Sequence, residues 1–303
     1  MDWWVWIVRK TFLAATVAIA ALAVALCAVQ PVGSTEASAP MAAAAMPDMQ
    51  YPHFLRDNMQ RYESYYERNP ELQFSKVIAY VNANIDLGGY NGIQTVDDPE
   101  SIAVLVNKNF ELPLGYEPGL VDAGYGVRLR EEALEQYTRM KEDMADLGLR
   151  IYVIAAYRPY RTQASKFNAA LASSGRASAE RQFARPGHSE HQTGLAVDVL
   201  QRTISREEAM SALRFENTDQ YAWMRENAHN YGFILRYPRE YRDVHGFIFE
   251  PWHWRYVGVD IATAMFDEGI VLFEEYYGMY LAPGIAARSE NGQAARSWAL
   301  GYE

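Results

Sequence analysis

The sequence predicts an α+β domain, with helices packed on a mainly antiparallel sheet. Three observations carry that expectation. Between Leu129 and Leu147 the apolar residues Leu129, Leu134, Tyr137, Met140, Met144 and Leu147 recur at helical spacing. The β-branched run Ile151-Tyr152-Val153-Ile154 follows at once. Several short apolar runs separated by turn residues then lie between Leu195 and Val257.

In chain order, the run from Phe12 to Val29 is 18 residues long, uncharged, and follows Arg9-Lys10. That length is at the threshold for spanning a bilayer. Residues 1–30 are therefore read as a signal-anchor or signal peptide, with retention preferred to cleavage at Ala37-Ser38-Ala39. Arg9 and Lys10 would stay cytoplasmic, and Trp3, Trp4 and Trp6 would sit at the interface. The alternatives are lipid modification at Cys27, where Leu26 is bulky, and a buried core helix. Residues 31–50, rich in Ala, Pro, Ser and Met, read as a linker.

The globular region begins near Tyr51, with residues 51–110 as its N-terminal part, 111–280 as the domain carrying the chemistry, and 281–303 as a tail. Gly148 stands where a helix C-cap glycine belongs, and a second helix is expected from Thr162 to Ser174, stopped by Gly175. Pro186-Gly187 marks a turn and Leu195–Leu200 a strand. A helix over Tyr221–Tyr231 is closed by Gly232. Strands are expected at Phe233–Arg236, Phe247–Glu250 and Trp252–Val257, then a last helix, Val259–Tyr276, across the outside.

Composition narrows the chemistry. The chain has 303 residues, 50% hydrophobic and 22% charged, in the ordinary globular range. A formal net charge of -10 and the lack of a Lys/Arg cluster argue against nucleic acid as a partner. Cys27 is the single cysteine and lies in the N-terminal apolar run, so any metal in the folded part rests on His and carboxylate.

The densest cluster of such groups is Pro186-Gly187-His188-Ser189-Glu190-His191-Gln192-Thr193-Gly194-Leu195-Ala196-Val197-Asp198; the second is Glu250-Pro251-Trp252-His253. A catalytic zinc site takes three protein ligands and keeps one position open. His191, Asp198 and His253 fit that count, and Glu250 is placed to move a proton. Other readings stand beside this one. His188 could be a ligand, although Pro186-Gly187 argues against a helix that would pair it with His191. Asp198 could orient a ligand histidine and Glu250 could be a solvated strand end. For His53, His229 and His245 the structural reading is preferred, and Arg158 alone would read as a surface ion pair.

Three ordered motifs carry a resemblance: Tyr157-Arg158 through Gln163, Ser189-Glu190-His191-Gln192-Thr193-Gly194-Leu195-Ala196-Val197-Asp198, and Glu250-Pro251-Trp252-His253-Trp254-Arg255-Tyr256-Val257-Gly258. With weaker echoes at Val81-Asn82 and Leu105-Val106-Asn107-Lys108, the chain from Tyr51 to Gly278 resembles the VanY-type D-alanyl-D-alanine carboxypeptidases. That fold is shared with D-Ala-D-Ala dipeptidases and hedgehog zinc domains. The resemblance implies one Zn2+ per chain, in the cleft of a single catalytic domain and held by His191, Asp198 and His253. It makes Glu250 the general base and Arg158 the group that steadies an oxyanion, with Gln163, Ser189 and Trp252 binding substrate. The family usually has Ser-Gly before the Tyr-Arg pair, where this chain has Ala155-Ala156, and Pro159 follows.

The implied substrate is the peptidoglycan stem peptide, losing its C-terminal D-Ala to a monomeric enzyme, extracytoplasmic at the cell membrane or secreted. Cleavage of an L,D bond in tetrapeptide stems is the alternative within that chemistry. Free D-Ala-D-Ala is cytoplasmic and does not suit an exported domain. A non-catalytic, zinc-containing wall-binding protein could dispense with Glu250 and Arg158, and this chain has both. A serine enzyme of the penicillin-binding kind would need Ser-x-x-Lys, which is absent.

Overall fold

The computed structural model describes residues 51, 53–202 and 212–283. The expected membrane segment, its linker and most of the tail lie outside them. Among the described residues, no helix is long and apolar enough to cross a membrane.

The elements are, in order, α1 (Met59–Arg68), α2 (Phe74–Asn82), β1 (Gln94–Thr95), β2 (Phe110–Glu111), β3 (Val121–Asp122), β4 (Arg128–Leu129), α3 (Glu131–Asp146), β5 (Ile151–Ala155), α4 (Tyr160–Ser174), α5 (Arg176–Gln182), β6 (Ala196–Gln201), α6 (Asp219–Asn227), β7 (Phe233–Leu235), α7 (Arg242–His245), β8 (His253–Tyr256), α8 (Val259–Asp267) and α9 (Phe273–Tyr276). The main sheet has the order β5-β6-β8-β7, every pair antiparallel. This is the expected mixture of helix and antiparallel sheet.

Because side chains alternate across a strand, the register assigns each face a task. Val197, paired with Trp254, and Leu235, paired with the same Trp254, share one face. They join Met140 and Met144 of α3 and Met224 of α6 in the main core. On the other face Asp198 pairs with His253, and Arg255 lies between Ala196 and Ile234. One face of the sheet is thus core and the other carries the polar groups.

Helix α3 ends as its glycine implies: Gly148 takes φ +79° and Leu149 N–H returns to the Met144 carbonyl at 2.8 Å. The N-terminal helices are stitched to the far end of the chain. Asn82 Nδ2 donates to the Gly278 carbonyl at 2.9 Å, and a Cβ on Gly278 would lie 1.9 Å from the Ala79 carbonyl oxygen. Only glycine lets α2 approach that closely.

Three expectations need correction. Phe247–Glu250 is not a strand: Ile248 N–H goes to the Arg181 carbonyl and Glu250 N–H to that of Tyr237, so no ladder forms. The expected helix over Tyr221–Tyr231 is α6 followed by a tighter 3-10 turn, Ala228–Tyr231. The single last helix is two. Gly269, at φ +68°, closes α8, with Ile270 N–H bonded back to the Met265 carbonyl at 2.8 Å. Nor does α9 lie across the outside, because Phe273 and Glu274 are fully buried.

Candidate metal centre

Cross-strand pairing of β6 with β8 sets Asp198 directly opposite His253, the arrangement in which two side chains share a face and meet. His253 Nδ1 is 2.9 Å from Asp198 Oδ1. His191 comes from outside the sheet, on a 3-10 turn, Glu190–Thr193, and its Nε2 is 3.2 Å from Asp198 Oδ2. One donor atom from each of the three lies within 4.8 Å of the others, and all three residues are buried.

The site is braced from behind. His191 Nδ1–H donates to the Ala156 carbonyl at 2.7 Å, while Arg158 N–H donates to the His191 carbonyl at 3.0 Å. This reciprocal pair ties the end of β5 to the His191 turn. Since Nδ1 must be protonated to donate, the Nε2 lone pair is left facing Asp198. His253 is held in the same way, its Nε2 lying 3.3 Å from Glu190 Oε2.

Glu250 reaches the site on a tight turn, in which His253 N–H bonds the Glu250 carbonyl at 3.1 Å. Pro251 occupies the second position, where its fixed φ suits such a turn. That turn brings Glu250 Oε2 to 4.0 Å from His253 Nδ1. Arg158 Nη2 stands 3.9 Å from Asp198 Oδ2. Gln163 accepts from Arg158 Nη1 at 2.9 Å and donates to the Ala184 carbonyl at 2.6 Å. Its amide so ties Arg158 to the Ala184 loop, and Gln163 also lines the cleft. Ser189, Trp252, Tyr237 and Phe247 complete the cleft, and Tyr237 stacks on the His253 ring at 4.9 Å.

Electrostatics follow from burial and neighbours. Burial works against the Asp198 charge, but His191 and His253 hold its carboxyl well below the usual carboxylate range. Burial, with the nearby Asp198 charge, pushes Glu250 up to about 8 against the opposing pull of His253 and Arg158. Burial also opposes protonation of His253, yet its bonds to Asp198 and Glu190 carry it up to about 9. Two imidazoles and an ionised carboxylate, their outer nitrogens already bonded to acceptors, form a donor set suited to Zn2+.

His188 stands apart: its Nδ1 donates to the Asn107 carbonyl at 2.8 Å, and it is not in the cluster. His245 is likewise a buried structural histidine. Sequence reasoning missed Glu190, Arg236, Arg255 and Glu274. For Arg255 a signal existed, since it lies two residues beyond His253 on a strand and so faces the same way. Arg236 and Glu274 gave none, because they meet across 38 residues of sequence.

Comparison with known proteins gives a consistent picture. The family described as VanY, D-alanyl-D-alanine carboxypeptidase, matches residues 126–259. A putative carboxypeptidase of Bacillus subtilis (strain 168) is 34% identical over 215 residues, covering 68% of this chain and 76% of that protein. A solved LD-carboxypeptidase, whose structure concerns peptidoglycan recognition, is similar at 35% identity and a TM-score of 0.56, over 62% of this chain and 91% of that one. A variant of the vancomycin-resistance D,D-pentapeptidase VanY, in complex with Zn(II), is similar at 30% identity and a TM-score of 0.50, over 57% and 97%.

Proposed function

Since the chain belongs to the VanY family of D-alanyl-D-alanine carboxypeptidases, we propose that it is a zinc-dependent carboxypeptidase releasing the C-terminal D-Ala from peptidoglycan stem peptides. The observation that carries this reading is the buried cluster His191, Asp198 and His253 with Glu250 beside it. In this reading those three residues hold the metal. Zinc bound there supplies Lewis acidity, polarising a carbonyl and making water a better nucleophile at neutral pH.

The chain's own groups do the rest. Glu250 accepts a proton from the attacking water and returns it to the departing amine. A dication between His191, Asp198 and His253 favours the ionised Glu250 that this role needs. Arg158, fixed by Gln163, offers a guanidinium to the negative charge that develops on the scissile carbonyl oxygen. Ser189 and Trp252 line the space where the peptide lies. Water adds across one amide bond, leaving a shortened stem and free D-alanine. All these residues come from one chain, so a monomer is the proposed unit.

Cleavage of the L,D bond in a tetrapeptide stem is the second reading, favoured by the likeness to an LD-carboxypeptidase. Incubating the protein with defined penta- and tetrapeptide muropeptides and weighing the products separates the two. The D,D reading expects loss of one alanine from the pentapeptide with the tetrapeptide untouched; the reverse pattern would refute it. We also propose that residues 1–30 carry the domain across the membrane and anchor it, on the strength of the apolar run after Arg9-Lys10 and the location of stem peptides outside the cytoplasm.

A further inference from the structure

The two nitrogens of His253 face different environments. Nδ1 faces the cleft, with Asp198 Oδ1 at 2.9 Å and Glu250 Oε2 at 4.0 Å. Nε2 points inward, 3.3 Å from Glu190 Oε2. Glu190 Oε1 accepts from Arg236 Nε at 2.7 Å and from Arg255 Nη1 at 3.0 Å. Arg236 turns its remaining nitrogens to Glu274, at 2.9 and 2.7 Å. Glu274 accepts a further bond from Asn107 Nδ2 at 3.2 Å, and Arg255 Nη2 ends on the Ile102 and Val104 carbonyls.

The side chains of Glu190, Arg236, Arg255 and Glu274 have no solvent exposure. Two cations and two anions balance, yet burying four charges is costly, and apolar side chains could fill the same space more cheaply. The network therefore calls for a reason other than stability. Its geometry supplies one. Arg236 and Arg255 both take Glu190 Oε1, which leaves Oε2 turned toward the imidazole. An imidazole presents its lone pair from whichever nitrogen lacks the proton, and an acceptor at the other nitrogen decides which that is.

We propose that Glu190 is the positioning residue that fixes the His253 tautomer, keeping the proton on Nε2 and the Nδ1 lone pair toward the metal, with Arg236 and Arg255 holding Glu190 in that orientation. The assignment rests on the zinc site proposed above and not on the bond that is cut. Glu190 touches neither metal nor substrate in this role; it acts through His253.

Two measurements test it. In long-range 1H–15N spectra of the zinc-loaded wild type, His253 is expected to carry its proton on Nε2, and a proton on Nδ1 with zinc on Nε2 overturns the proposal. Zinc dissociation constants are then compared, by competition with a chromogenic chelator, for wild type, Glu190→Gln and Glu274→Gln. Both substitutions take one negative charge from the same Arg236, but only the first faces His253. Glu190→Gln is expected to weaken zinc by about 10- to 100-fold, with Glu274→Gln near wild type. Wild-type affinity in Glu190→Gln, or an equal loss in both, sinks the idea. Should Glu190→Gln fail to fold, Glu190→Asp keeps the charge and withdraws it from Nε2, and the same loss of affinity is expected. A wild type that binds zinc without cleaving stems removes the proposed substrate and leaves this inference standing, whereas one that binds no zinc defeats both.

Discussion

His245, buried and two residues before the cleft-lining Phe247, makes the fold sensitive to mild acid. Its Nε2 donates to the Pro238 carbonyl at 2.9 Å, and its Nδ1 accepts from Phe247 N–H at 3.1 Å. A second ring proton would meet that N–H head on. Burial above all, with the Arg236 and Lys108 cations, pushes the imidazole down from 6.5 to about 4, against the Pro238 bond and Glu274. The folded state therefore binds the proton less readily than the unfolded state. The stability His245 contributes is complete above pH 6.5 and drains away as pH falls toward 4. A gap of that size, at roughly 1.4 kcal/mol per unit, amounts to about 3 kcal/mol. Carboxylates held below their usual range, such as Glu190 and Glu274, add acid sensitivity of their own at lower pH, so the comparison is with His245→Gln, which cannot titrate. Urea unfolding from pH 7 down to 4 is expected to show wild type losing about 3 kcal/mol more than the variant. Parallel curves for the two proteins would show that His245 is not the source of this acid sensitivity.

Gly232 sits at φ +78° with its missing Cβ 2.6 Å from Tyr256 Cε2 and 2.9 Å from the Gly258 carbonyl carbon. Gly232→Ala should therefore cost at least about 2 kcal/mol by denaturant titration. Gly148→Ala, at φ +79° with nothing within 4 Å, should cost only the backbone term of about 1 kcal/mol. Arg158→Ala should lower kcat by about 10²- to 10³-fold with zinc content unchanged, measured by steady-state hydrolysis and metal analysis. Because His253 holds a proton up to about 9 and a metal must displace it, apparent zinc affinity should weaken about tenfold for each unit the pH falls below that value, followed by chelator competition.

What could be foreseen from the sequence was local or periodic. Helix α3, its Gly148 cap and the strand β5 were legible because a 3.6-residue repeat gives way to a β-branched run. The ligand cluster was legible because few residue types bind zinc, and they crowd into two short stretches. The turn at Glu250 was mistaken for strand because the short apolar run Phe247-Ile248-Phe249 does not say whether a neighbouring edge exists to pair with. The break at Gly269 was overlooked because the apolar pattern continues through Ile270, Val271, Leu272 and Phe273. Apart from Arg255, the charged layer behind His253 could not be read, since Glu190, Arg236 and Glu274 become neighbours only when β7, β8 and α9 assemble.

In the proposed mechanism a zinc site made by His191, Asp198 and His253 works with Glu250 as its base. Glu250→Gln tests it most directly, because the amide keeps the shape of the side chain and loses the ability to take a proton. The variant is expected to hold one zinc per chain and release almost no D-alanine from pentapeptide stems; hydrolysis at the wild-type rate would rule Glu250 out as the base.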